Sequence, residues 1–227
     1  MINQLKIELS ERAEAGLQRQ RRLLQSPQSA HLVADGEPLL SFASNDYLGL
    51  ANHPELIAAF QSAAIEAGVG GGASHLITGH HQFHHQAEQC LADFIGLPAG
   101  LLFSTGYMAN MGIIAALMGR DDAIFADKLN HASLNDAALL SRATLHRYAH
   151  QDLAQLEKLL KQSTAKRKLV VVDAVFSMDG DFAPVHELLV LCEQYDAYLL
   201  LDDAHGFGVL GKQGRGILDY FNVQSSR

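Results

Sequence analysis

The sequence predicts an α/β chain built on a mainly parallel sheet flanked by helices. Three observations predict it. From Gly100 onward, short apolar runs alternate with longer stretches of helical periodicity, which is the pattern of repeated strand–helix–strand units. Leu169-Val170-Val171-Val172 is wholly apolar, as a strand buried on both faces of a parallel sheet requires. Ala197 to Leu201 repeats that apolar run and stops at Asp202-Asp203, where the strands of open α/β sheets meet their ligands.

In chain order, residues 2–24 read as one amphipathic helix with a polar, Arg/Gln-rich end. His31 to Phe42 reads as a hairpin turning at Asp35-Gly36. Residues 44–50 are rich in turn formers. Pro54 suits the first turn of a helix that runs to about Ala67, where Gly68 stops it. Three glycines, Gly70 to Gly72, then open a loop that matches neither a GxGxxG fingerprint nor a Walker A loop. They fit either close backbone approach to a ligand or a plain connecting loop. A helix follows over 80–95. Strands are expected near 100–103, 122–126, 144–148, 168–174 and 197–202, with helices near 106–118, 131–141, 152–162 and 184–195. A Gly-rich loop occupies 206–216. Residues 1–50 thus form an N-terminal helix-and-hairpin segment, and 51–227 an incomplete large domain.

The composition narrows the function classes. The chain has 227 residues, 48% hydrophobic and 19% charged, with a net charge of −8. That charge argues against nucleic acid or an anionic membrane as the main partner. The basic clusters at Arg19–Arg22 and Lys166–Lys168 read as solvated surface. Cys90 and Cys192 have no metal-ligand spacing and read as two buried thiols in a reducing compartment. Met1 to Glu14 has no uninterrupted apolar core of a signal peptide. No apolar run approaches the ~20 residues of a spanning helix, so the chain reads as cytoplasmic. His80-His81 and His84-His85 form two i, i+4 pairs with zinc-capable spacing. Without an HExxH motif they read as a polar helix face, and no metal is expected.

Polar residues collect at the expected carboxyl ends of the strands. Asp202 needs a partner there, since a buried unpaired charge is costly. The protonated ring nitrogen of pyridoxal phosphate (PLP) would serve, and so would the backbone of the following turn. His205 lies three residues on. Ser104-Thr105-Gly106-Tyr107 opens a helix, whose free N–H groups suit an anion. His131 starts another helix, where its imidazole could stack on a planar ring. Ser177 follows the 168–174 strand and could bond a ring oxygen.

Six stretches carry a wider resemblance: SNDYLGL (44–50), GGGASHLITG (70–79), LLFSTGYMANMG (101–112), DKLNHASLNDA (127–137), VFSMDGDFAP (175–184) and LDDAHGFGVLGKQGRG (201–216). On these the chain resembles the α-oxoamine synthase family of fold-type I PLP-dependent enzymes. The resemblance implies the large domain of such a transferase and a homodimer whose subunits share the site. It implies cofactor contacts by Gly106 and Tyr107, stacking by His131, bonds from Ser177 and His205 to the ring oxygen, and pairing of Asp202 with the pyridinium. It matches Arg19 to an arginine that binds substrate carboxylate, sets Asn45 and Ser74 on the substrate side, and makes His131 catalytic. The implied reaction is a decarboxylating condensation of L-alanine with a pimeloyl thioester on CoA or a carrier protein. Glycine-using members of the family, or a non-catalytic fragment, are the alternatives. The family's Schiff-base lysine lies roughly thirty residues beyond the strand-end aspartate, past Arg227. Lys212, the only lysine after Lys168, does not match it. The expectation is therefore the N-terminal portion of a longer enzyme, without its C-terminal small domain and inactive alone.

Overall fold

A computed structural model describes residues 1–224. Its packing divides into two compact units, one ending at Val69 and one beginning at Gly70.

The first unit holds α1 (Ile2–Glu14), the antiparallel hairpin β1 (His31–Ala34) and β2 (Glu37–Leu40), and α2 (Pro54–Ala67). The hairpin turns at Asp35-Gly36, both in the left-handed region, as the sequence predicts. Proline opens α2 and Gly68 ends it. The single helix expected over 2–24 is corrected. It stops at Glu14, and Gly16 takes φ +68°, the left-handed turn that commonly closes a helix.

The second unit contains a π-helical turn (His75–Gly79), α3 (Gln82–Ile95), α4 (Gly106–Leu117), β3 (Ala123–Asp127), α5 (Ala132–Ser141), β4 (Thr144–Tyr148), α6 (Leu153–Gln162), β5 (Lys168–Asp173), α7 (Val185–Gln194), β6 (Tyr198–Asp202) and the short α8 (Ile217–Tyr220). Its four strands are all parallel, in the order β4-β3-β5-β6. Side chains alternate across β3 and β5 and feed two cores. Phe125, Val170 and Val172 pack with Leu156 and Leu160 of α6 and Leu188 and Leu191 of α7. Ile124, Ala126 and Val171 pack with Ile114 of α4 and Leu134, Ala137 and Ala138 of α5. The sheet is therefore sandwiched, which is why β3 and β5 are apolar on both faces. Each of these larger side chains contributes roughly 1.5–3 kcal/mol by leaving water.

Two strand expectations are corrected. Residues 100–103 form no strand; among the described residues no neighbour pairs with them. The strand that ends at Asp202 is not buried on both faces. β6 is an edge strand, half-buried from Leu199 to Asp202, with Tyr198 57% exposed, because β5 is the only strand beside it among the described residues. The cysteines are also corrected: Cys192 is buried in α7, but Cys90 is exposed on α3. No described helix is long and apolar enough to cross a membrane.

Candidate active site

The strand order sets the location. From β3 the chain moves outward to β4, and from β5 it moves the opposite way to β6. The crevice beyond the carboxyl ends of β3 and β5 is thus the switch point, where open α/β sheets bind ligands. Asp127 ends β3, Asp173 ends β5 and Asp202 ends β6. Asp173 and Asp202 are register partners on adjacent strands.

One hydrogen-bond chain crosses this edge. Asn110, one turn beyond Tyr107 on α4, donates from Nδ2 to Asp202 Oδ2 at 2.7 Å and to Ser133 Oγ at 2.9 Å. Ser133 Oγ lies 2.7 Å from His131 Nδ1. The Ser133 N–H also approaches that nitrogen, at 3.3 Å. Nδ1 is therefore the acceptor, and a neutral His131 carries its proton on Nε2. The His131 backbone N–H donates to Asp173 Oδ2 at 2.9 Å. Asn130 braces the same corner, donating to Val171 O and accepting from the Asp173 N–H. Asp202 Oδ1 accepts from the Ala204 N–H at 3.1 Å, so the aspartate caps its own turn as well as holding Asn110.

The electrostatics of the edge are one-sided. Burial, and then the nearby Asp202 charge, push the Asp173 carboxyl up to about 6, against the His131 N–H that favours its ionised form. Burial and the Asp202 charge likewise push Asp203 up to about 6. Asp173 Oδ1 is buried with no hydrogen-bond partner among the described residues. A cationic ring N–H beside Asp202 suits this surplus of negative charge. A second observation concerns the start of α4. Thr105 Oγ1 caps the Met108 N–H at 3.1 Å, and the first-turn amides of Gly106 and Tyr107 have no intrahelical acceptor. A Cβ on Gly106 would meet nothing within 4 Å, and its φ is not left-handed. Neither packing nor backbone geometry demands glycine there, whereas a ligand lying against the helix start would. The residues present fit PLP on both counts.

The other expected residues are placed as follows. The Tyr107 hydroxyl donates to the Asp136 carboxylate on α5, and that bond holds the phenol above its ordinary pKa. Ser177 is exposed in the turn after β5, and His205 is half-buried in the turn after β6. Ser74 precedes the His75–Gly79 turn and is exposed. Arg19 and Asn45 lie in the first unit, both exposed and outside regular structure. The histidine pairs are corrected, since α3 begins at Gln82 and His80 and His81 precede it. His81 caps the helix: its Nδ1 accepts from the Phe83 N–H, while His84 Nδ1 accepts from the His81 N–H.

Sequence reasoning missed Asn110, Ser133 and Asp173. Asp173 has the strand-end position that singles out Asp202, and Asn110 shares a helix face with Tyr107. It also missed a clamp beside them. His150 Nδ1 lies 3.1 Å from Asp127 Oδ1, and its Nε2 lies 2.8 Å from Asp181 Oδ2. Burial opposes its charge, but the hydrogen bonds of Asp181 and Asp127 outweigh this and raise its pKa.

Residues 37–225 match the family described as Aminotransferase class I and II. The chain belongs to the class I and II aminotransferase family. Within that family it is 64% identical over 227 residues to the 8-amino-7-oxononanoate synthase of Methylobacillus flagellatus, covering 100% of this chain and 57% of that protein. It is 63% identical over 218 residues to the synthase of the same name from Nitrosomonas eutropha, covering 96% and 56%. Among solved structures, a serine palmitoyltransferase from S. paucimobilis with bound PLP-myriocin aldimine superposes with TM-score 0.89 at 32% identity, over 96% of this chain and 57% of that one. An 8-amino-7-oxononanoate synthase from Francisella tularensis gives 0.67 at 35% identity, over 80% and 50%. The chain spans a little over half the length of the curated relatives it matches. The parallel sheet between helices is that of the fold-type I transferase large domain.

Proposed function

We propose that this chain supplies the cofactor pocket of a PLP-dependent acyltransferase of the 8-amino-7-oxononanoate synthase type. The reaction is the decarboxylating condensation of L-alanine with pimeloyl-CoA or pimeloyl carrier protein. It gives 8-amino-7-oxononanoate, CO2 and the free thiol, a step of biotin biosynthesis in the cytoplasm. The observation that carries this reading is the network joining Asp202, Asn110, Ser133 and His131 beside the half-satisfied Asp173. The names of the relatives at 63–64% identity support the choice of substrates.

Bound PLP would supply an electron sink for charge developing at the α-carbon of alanine. Asp202 would hold the ring nitrogen protonated, and Asn110 fixes the carboxylate for that task. Ser177 and His205 would bond the ring oxygen, and Gly106 and Tyr107 would contact the cofactor. His131, its Nδ1 held by Ser133, would stack on the ring and present Nε2–H to substrate. Arg19 would bind a substrate carboxylate, with Asn45 and Ser74 on the substrate side. In this reading residues 1–50 are an N-terminal segment, 51–227 belong to the large domain, and the working enzyme is a homodimer.

The family's Schiff-base lysine has no match in these residues; Lys212 is exposed in a turn. A polypeptide of these 227 residues should therefore bind PLP reversibly and turn over no alanine with a pimeloyl thioester. The test is equilibrium dialysis with PLP, then borohydride and peptide mapping. Expected are saturable binding weakened at least tenfold by Asp202→Asn, and no adduct fixed at a single lysine. Binding indifferent to Asp202→Asn would overturn the pocket assignment, and turnover by this polypeptide would overturn the lysine argument.

A further inference from the structure

Two of the four histidines around the start of α3 are accounted for as helix caps. The other two, His80 and His85, converge with Glu88. One ligand atom from each of the three lies within 4.8 Å of the others, and His80 Nε2 is 4.0 Å from Glu88 Oε2. His85 and Glu88 sit one turn apart on the same face of α3. His80 arrives from the preceding turn, and its Nδ1 meets His75 Nδ1 at 3.0 Å. With His80 as donor in that bond, its Nε2 keeps a lone pair on the Glu88 side. Imidazoles that bind metals are oriented in this way by a bond at their other nitrogen. Glu88 is divided in the same sense. Its Oε1 accepts from the Leu102 N–H at 2.9 Å, and its Oε2 is the oxygen nearer His80. The Glu88 side chain is 14% exposed, so the charge is partly desolvated and gains from a cation.

We propose that His80, His85 and Glu88 form a binding site for a divalent transition-metal ion, best matched by zinc. Two imidazoles and a carboxylate are a zinc donor set, with the fourth tetrahedral position left to water. Bonds near 2.1 Å set tetrahedral ligands about 3.4 Å apart. The three atoms must therefore close inward, and the exposed His80 and His85 have the rotamer freedom to do so. The ion would join the turn His75–Gly79 to α3. Through Glu88 it would also brace the backbone at Leu102, three residues ahead of the Thr105 cap. The site thus stiffens the approach to α4, and it does so whether or not the cofactor reading holds.

The test is calorimetric titration of Zn2+ into the untagged, chelator-stripped protein, with Co2+ absorption as a coordination readout. His85→Ala removes a ligand at an exposed position. Glu88→Gln keeps an acceptor for the Leu102 N–H and removes only the charge, so it guards against a folding artefact. His31→Ala, on the exposed end of β1, is the control. Expected are one equivalent of Zn2+ in the parent and in His31→Ala, at least tenfold weaker binding in both site variants, and a Co2+ spectrum lost with them. No saturable single-equivalent binding, or binding that both site variants keep unchanged, would overturn the proposal.

Discussion

Asp173 joins burial, charge and site chemistry in one side chain. It is 6% exposed, accepts from the His131 N–H on one oxygen, and leaves the other without a partner among the described residues. Its carboxyl is raised from 3.8 to about 6. The folded state therefore holds its proton more tightly than the unfolded chain does, and stability falls as pH rises between those values. A shift of about two units corresponds to roughly 3 kcal/mol over the whole interval, of which about 1 kcal/mol is still to be lost above pH 5.5. His150 acts in the same direction. Its folded pKa is raised, so its contribution is complete below about 6.5 and fades as pH climbs through the folded value. We expect the cofactor-free chain to melt higher at pH 5.5 than at pH 8, and Asp173→Asn to shrink that difference by raising the pH 8 midpoint. Thermal melts at the two pH values check this, and an unchanged difference in Asp173→Asn would count against it. Part of this site was legible in the sequence, because Asp202 and His131 stand at strand and helix boundaries that apolar periodicity locates. Asn110 was not legible. It lies inside a helix, and only the packing of α4 beside β6 and α5 gives its side chain two acceptors.

At the scale of elements, the His150 clamp ties together the ends of three strands. Asp127 closes β3, His150 follows β4, and Asp181 lies beyond β5 in the hairpin-like return whose bridge pairs Val175 with Phe182. The Gln151 N–H and side chain add bonds to Asp127 and Asp181, and Phe176 meets the His150 ring edge-on at 4.4 Å. The clamp therefore couples the loop carrying His131 to the turn carrying Ser177. His150→Gln can reach only one of the two carboxylates well. We expect faster amide exchange across 128–131 and 176–182, with β3 and β5 unaffected. Exchange by mass spectrometry reads this out, and uniform protection in the variant would refute the coupling. The same elements show where sequence reading succeeds. β3 and β5 were legible because their apolar patterns are answered by strands and helices within the chain, whereas β4 (Thr144–Tyr148), an edge strand of mixed composition, was placed by the strand–helix rhythm. Residues 100–103 have strand composition but pair with no strand among the described residues, and β6 has core composition at an edge. Composition reports what a segment can bury, and pairing depends on residues far away in sequence.

For the whole molecule, the apolar surface left in water decides behaviour in solution. On α2, Leu56, Ile57, Phe60 and Ile65 are 50%, 44%, 76% and 89% exposed, although the helix has an ordinary proline start and glycine stop. In the second unit, Leu139 and Leu140 of α5 and Val190 of α7 are also more than half exposed. β6 adds an unpaired strand edge, with no inward-pointing charge or proline between Tyr198 and Leu201 to blunt it. Exposed apolar side chains and an open edge favour association, and a net charge of −8 on 227 residues opposes it only weakly at physiological salt. We therefore expect a polypeptide of these residues to run in light scattering above its monomer mass of 24.7 kDa, with the excess growing with protein concentration. Tyr198→Lys, at an exposed position on the edge strand, should reduce association without lowering the melting midpoint, since charge on an edge discourages pairing and that side chain lies outside the core. A monodisperse 24.7 kDa species at every concentration would show that solvation of these faces is sufficient. Association unchanged in Tyr198→Lys would shift its cause from the β6 edge to the helical faces.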